Sequence, residues 1–470
     1  MGDQLGALVT IFTEVYYWIT VVFMFLIHIG FCMYEVGASR RKNHMHTLMK
    51  NTMLIPLVTV TFFYFGWWIY FAWPNGPFIT GGVVSAPNAM PWSELMGTHM
   101  GGEPNQSFLT QGDAMGWARI NGVFWAAFLL FSWTAASIVS GAVIERIRSA
   151  AFWILAVIIG SFTWIIDAAW GWHPDGWMVK LLGYHDAYAS GVIHAIAGGF
   201  ALGILAHLGP RIGKFKADGT PRDIVPQNPW LVTIGLFLIY TGFWGFYVAC
   251  NIPIFDIGPA AGMEESFYST TNIYLAPTTT SAITFNFLMS LSGGLMTGYI
   301  VSKGDAFWTY SSGLAGVIAA SSGNDLYHPI QAMVIAGLGV VFMYKLHFWV
   351  ERRFKIDDAV GAVAVHGYAG FFGVVIAGFV LWGYPSSMNE GYAAITPWGQ
   401  FVGAIIMFGV LGFLPAYVVA GIMKATGFLR IPSKIEIAGL DLGDYHGRYL
   451  NEADVMEAEL EEARRAGYLT

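Results

Sequence analysis

The chain has 470 residues, 56% of them hydrophobic, 16% aromatic and only 11% charged, with a formal net charge of −7. With a mean hydropathy of +0.55, that composition excludes a soluble globular domain and describes a polytopic membrane protein. The acidic balance leaves no basic patch for nucleic acid. Two cysteines, Cys32 and Cys250, make neither a disulfide framework nor a CxxC metal site. No nucleophile–base pair or phosphate-binding loop is apparent, so neither an enzyme nor a bound cofactor is expected.

The opening Met1-Gly2-Asp3-Gln4 lacks the positive segment of a signal peptide, so the first apolar run is expected to be retained. Runs of roughly 18 apolar residues or more are long enough for a helix to cross about 30 Å of hydrocarbon. They occur at 13–36, 48–73, 120–142, 150–171, 190–209, 229–250, 275–300, 306–323, 328–350, 359–384 and 397–426. The expected fold is therefore all-α, with eleven transmembrane helices in a membrane domain over 1–426 and a cytoplasmic regulatory tail over 427–470. All of the 23 basic residues except Arg119 and Lys180 fall in or beside alternate loops. The positive-inside rule then puts the amino terminus outside and the tail in the cytoplasm, and a plasma (inner) membrane is the expected location.

Between Trp73 and Met115 the sequence is rich in Pro, Gly, Ser and Asn and reads as an irregular outer cap. Glycines within the spans, as in Ser292-Gly293-Gly294, read as close helix packing. After the last span, Asn451 is a plausible cap for a short charged helix ending at Gly467, with Glu461 and Arg465 as an i, i+4 pair.

His194 falls in span five and His366 in span ten, each inside a Gly- and Ala-rich apolar run. An imidazole at membrane depth needs a partner or a wet cavity, which makes it a functional-site candidate. The plainer reading of each is a satisfied packing residue. Five spans separate the two, so the second set of five runs through the membrane inverted relative to the first. Such a repeat, over 13–209 and 229–384 with a final helix at 397–426, would bring equivalent residues together near the midplane.

Further motifs run along the chain: Gly30-Phe31-Cys32-Met33-Tyr34-Glu35-Val36-Gly37 with Arg41-Lys42-Asn43; Ile138 to Arg146; Asp186 eight residues before His194; Leu208-Gly209-Pro210-Arg211; Asp357-Asp358; and Gly439-Leu440-Asp441. In this order they resemble ammonium transporters of the Amt/Mep/Rh superfamily, on the Amt branch, over nearly the whole chain. The resemblance implies a homotrimer with one pore per subunit and ammonium or ammonia, with methylammonium as an analogue, as the transported species. It implies that His194 and His366 form a twin-histidine proton relay below gate residues Phe131 and Phe246. Trp172 would stand at the outer mouth, with Asp186 and Cys250 in the recruitment site, where a structural role for Asp186 stands beside ligand binding. A nitrogen-regulatory protein of the PII type is the implied cytoplasmic partner. Deprotonation of ammonium, with separate passage of proton and ammonia, is the implied mechanism.

Some positions depart from the family pattern. Tyr247 stands where Asn is usual, Cys250 where Ser is usual, Phe128 where a glutamine is usual, and Ala359 and Gly361 where Pro and Asp are usual. The altered mouth keeps a second reading open, an ammonium sensor or receptor with little flux. A third, haem ligation by His194 and His366, is a further alternative.

Overall fold

The computed structural model describes residues 2–76, 112–254, 269–274, 277–387 and 390–441, together with 461, 464 and 465. Most of the expected outer cap and of the expected tail helix lies outside the described residues. The Glu461–Arg465 pair is formed, at 3.1 Å.

Helical runs fall on the predicted windows: α1 (Gly2–Ala38), α2 (Arg41–Ala72), α3 (Gly112–Ala142), α4 (Ser149–Gly171), α5 (Ser190–Leu208), α6 (Pro229–Ala249), α7 (Thr280–Val301), α8 (Ala306–Ala320), α9 (Pro329–Phe354), α10 (Val363–Val380) and α11 (Pro397–Ala425). Among the described residues nine of these are long and apolar enough to cross a membrane; α7 and α8 are the two outside that group. The first is interrupted by Thr, Ser and Asn, and the second has 15 residues.

Helix starts follow ordinary capping chemistry. The side chains of Asn228, Thr279, Asp305 and Thr396 accept hydrogen bonds from the first turns of α6, α7, α8 and α11. Pro229, Pro329 and Pro397 occupy first-turn positions, where no N–H is needed. Several boundaries differ from the windows, with α1 starting at Gly2, α3 at Gly112 and α7 at Thr280. Helix α2 begins well before residue 48, because its polar first turns are buried rather than solvated, with His46, Thr47, Lys50 and Asn51 all enclosed. Helix α10 begins after residue 359, because Gly361 turns the chain at φ 70° and Asp358 caps the helix behind it.

Helices α1 and α6 pack backbone to backbone. A Cβ on Gly30 would lie 2.5 Å from the Gly235 carbonyl oxygen, and one on Gly235 would lie 2.6 Å from the Tyr34 nitrogen. Small residues allow this approach in lipid, where no hydrophobic force draws helices together. Helix α5 is the most enclosed of the candidate spans, whereas α9 and α11 turn most of their surface outward. After α6 a small antiparallel sheet orders β1 (Asn251–Ile254), β2 (Ser269–Asn272) and β3 (Pro277–Thr278), with Asn251 opposite Asn272.

The end of the molecule that carries the basic loops is locked by buried ions. Arg211 grips Asp357 with two 2.9 Å bonds and lies 3.5 Å from Glu145. Arg40 bonds Glu145 at 2.9 Å, and Arg146 bonds the Gly209 carbonyl at 2.9 Å. The segment after α11 closes over this lattice. Arg430 bridges Glu436 and donates to the Leu208 and Pro210 carbonyls. Asp441 accepts from the Met45 and His46 nitrogens in α2.

Candidate functional site

Helices α5 and α10 each open on a wide turn, Ser190–Ala195 and Val363–Tyr368, in which the bonds reach five residues back; the His194 N–H donates to the Ala189 carbonyl at 3.2 Å. Such turns rotate side chains off the regular helical stripe. Asp186 holds the first: its Oδ2 accepts from the Gly191 and Val192 nitrogens, both at 2.8 Å. Asp358 holds the second in the same way, Oδ2 accepting from Val363 at 2.9 Å and Ala364 at 3.2 Å. Each aspartate lies eight residues before its histidine.

The two turns meet. A Cβ on Gly198 would enter the Gly367 backbone and one on Gly370 would reach the Ser190 carbonyl. His194 and His366 consequently lie Nδ1 to Nδ1 at 3.1 Å, rings 5.1 Å apart and both buried. A hydrogen bond at that contact requires one Nδ1 to carry the hydrogen and the other to offer its lone pair. No metal ion fits between two Nδ1 atoms so close, since two metal–nitrogen bonds of about 2 Å each already need more room.

Aromatic rings continue the line. Phe246 and Phe243 stack on His194 at 5.6 and 5.7 Å. Phe131 meets Phe246 edge-on at 4.7 Å, and Trp172 meets Phe131 at 5.1 Å. On the far side Phe31 packs 6.0 Å from His366. The structure thus brings Trp172, Phe131, Phe246, His194 and His366 into one column. Asp186 lies behind it, accepting also from Ser322 Oγ at 2.7 Å, while its carbonyl takes the Trp172 indole N–H at 2.7 Å. Burial pushes the Asp186 carboxyl up, and the bonds it accepts pull against that rise. Cys250 is one turn beyond Phe246, its thiol donating back to the Phe246 carbonyl at 3.3 Å.

Two of the departures, Phe128 and Tyr247, have local explanations. Phe128 joins an aromatic wall, 5.0 Å from Trp67 and 6.1 Å from Trp172. Tyr247 stacks flat on Tyr188 at 4.3 Å, and its hydroxyl meets Ser321 at 2.7 Å and Asn324 at 3.0 Å. Phe243, Phe31 and Asp358 were not singled out for this column from sequence. For Asp358 the signal was available, because the spacing to His366 repeats that of Asp186 to His194.

A profile of the Ammonium Transporter Family matches residues 15–449. The chain belongs to the ammonium transporter family. Family relatives include the ammonium transporter Amt2 of Methanocaldococcus jannaschii, 30% identical over 90% of this chain and 88% of that protein. Amt2 of Archaeoglobus fulgidus is 27% identical over 93% of this chain and 88% of that protein. Among solved structures, a sensor Amt protein superposes with a TM-score of 0.70 at 21% identity, covering 93% of this chain and 99% of its own. Candida albicans Mep2 superposes at 0.65 and 17% identity, covering 90% and 86%. At those identities the likeness is one of fold. This ammonium transporter family chain is a multi-pass membrane protein and not an enzyme.

Proposed function

We propose that this chain moves ammonium across the membrane through the column that runs from Trp172 past Phe131 and Phe246 to His194 and His366. The 3.1 Å contact between the two imidazoles carries the reading. Taking a monovalent cation to the bilayer centre costs from about 2.5 to more than about 10 kcal/mol on different scales. Aromatic faces at Trp172 and Phe131 offset part of that by cation–π attraction. Loss of a proton removes the rest, and the histidine pair accepts or relays it while neutral ammonia follows the apolar path. Trp172 and Cys250 form the mouth. Asp186 acts as a holding residue, because both of its oxygens are taken up by Gly191, Val192 and Ser322.

The same reading takes 1–426 as the membrane domain and all eleven runs as spans, the amino terminus outside and 427–470 as the cytoplasmic tail. It arranges the spans as two inverted fives, a view supported by the matched Asp-to-His spacing, the matched wide turns and the reciprocal Gly198 and Gly370 contacts. A homotrimer in the plasma (inner) membrane, and a PII-type regulator at the basic face, complete it. The sensor alternative draws on the altered mouth alone.

Charge movement after an ammonium pulse, recorded from proteoliposomes on a solid-supported membrane, tests transport. A current whose decay quickens with protein density, and which His194→Ala and His366→Ala abolish or alter, is expected. A small transient whose decay ignores density would instead favour the sensor.

A further inference from the structure

The column does not account for a second buried charge. Glu35 is fully buried in α1 and is bonded through one oxygen only. Its Oε2 accepts from Ser140 Oγ at 2.6 Å and Asn51 Nδ2 at 2.9 Å and lies 3.5 Å from Lys50 Nζ. Its Oε1 has no hydrogen-bond partner. An ionised carboxylate offers about four acceptor sites, and leaving a buried one unmet is costly.

That oxygen adjoins a cavity. Phe31, Tyr34, Glu35, Ser137, Gly141 and His366 are among its walls, and its free volume of about 10 Å³ seats one water-sized molecule. Gly141 lies beside it: a Cβ there would collide with Val360 at 2.6 Å and would touch Glu35 Oε1 at 3.7 Å. Phe31, which packs on His366, lies one helical turn before Glu35, so the carboxylate stands roughly 6 Å along α1 from the histidine pair, toward the basic loop at Arg40 and Arg41.

We infer that Glu35 Oε1 and this cavity form a subsite for one small hydrogen-bond-donating cation, ammonium or hydronium, on the inward side of the histidine pair. Its position in the path rests on the pore reading above; its chemistry does not. The occupant donates to Oε1 and sits against the His366 wall. Lys50 sets how tightly it is held. Its ammonium group donates to the Ser140 carbonyl at 2.7 Å and already balances the carboxylate, so a second cation is attracted without being trapped, as a conducting path requires. Ionisable neighbours facing Glu35 are Lys50 from α2, Cys32 and Tyr34 on α1 itself, and His366 from α10, with Arg146 beyond Lys50 and Asp358 beyond Tyr34.

Infrared difference spectra of the full chain in liposomes test this independently of flux. A carboxylate band that shifts when ammonium chloride is added at fixed pH, and is missing in Glu35→Gln, assigns ammonium. The same band shifting only on a pH jump without ammonium assigns hydronium. If neither treatment yields a band that Glu35→Gln removes, the subsite is overturned. In the current assay Glu35→Gln is expected to lower the ammonium current about tenfold and to shift its pH profile, with partial recovery in Glu35→Asp. A merely structural Glu35 would lower protein yield and melting temperature in both variants and leave the pH profile of the remaining current unmoved. Wild-type protein without a density-dependent current defeats the pore reading, while the infrared result still decides the subsite.

Discussion

Asp358 and Asp186 hold equivalent turns, yet their surroundings make them respond differently to protons. Burial, opposed only by the backbone N–H groups at α10, pushes the Asp358 carboxyl up to about 7. A raised carboxyl binds its proton more tightly in the folded protein, so the stability it contributes is complete below about pH 3.9 and is lost as pH rises through about 7. Its neighbour Asp357 has the opposite sign: burial raises it, but Arg146 and Arg211 outweigh that and hold it low. Asp357 therefore costs stability only below about pH 4, outside the Asp358 window. Asp358→Asn lacks this pH-dependent term, so the melting temperature of the variant relative to the wild type should rise between pH 5 and pH 7. For Asp186, alanine strands two buried N–H groups at about 1–3 kcal/mol each. Asp186→Ala should therefore lose several degrees of melting temperature, whereas Asp186→Asn should keep much of the stability and its ammonium affinity. Loss of affinity without loss of stability in Asp186→Asn would make it a ligand. The histidines were legible from their apolar context, but the unmatched oxygen of Glu35 was not, because satisfaction depends on which side chains fold against it.

Element geometry explains why the histidines meet. The wide turns at 190–195 and 363–368 are held by buried carboxylates and pressed together at glycines, so the pairing depends on backbone contact. Gly198→Ala pushes a methyl group into the Gly367 backbone; overpacking of this kind costs about 1–3 kcal/mol. A drop in melting temperature together with a loss of ammonium current is expected. Gly409→Ala, where nothing lies within 4 Å, should change neither. The helical runs were legible because each has an apolar stretch and several carry a cap. The wide turns were not: a five-residue bond pattern leaves no mark in hydropathy, and the early start of α2 was hidden because its buried turns are polar.

At the scale of the whole molecule the segment after α11 acts as a clasp. Asp441 accepts from two nitrogens at the start of α2, and Glu436 accepts from the Ile212 nitrogen while pairing with Arg430. Replacing an acidic cap by alanine costs about 1 kcal/mol. Asp441→Ala should therefore leave the membrane-embedded part intact and quicken tryptic cleavage at Arg430 and Lys434, read by mass spectrometry. Charge bias and resemblance pointed to a tail on the basic side, while its partners across the chain needed coordinates.

That clasp also orders events during synthesis. Residues 430–441 leave the ribosome after every helical run has been made, yet they close contacts with 42–46 and 208–212, made hundreds of residues earlier. Until then the α2 start and the Leu208 and Pro210 carbonyls remain open to water and to quality-control proteases. A chain stopped just after Leu429 would be inserted but unsealed, and the cell would meet it as an unfinished product.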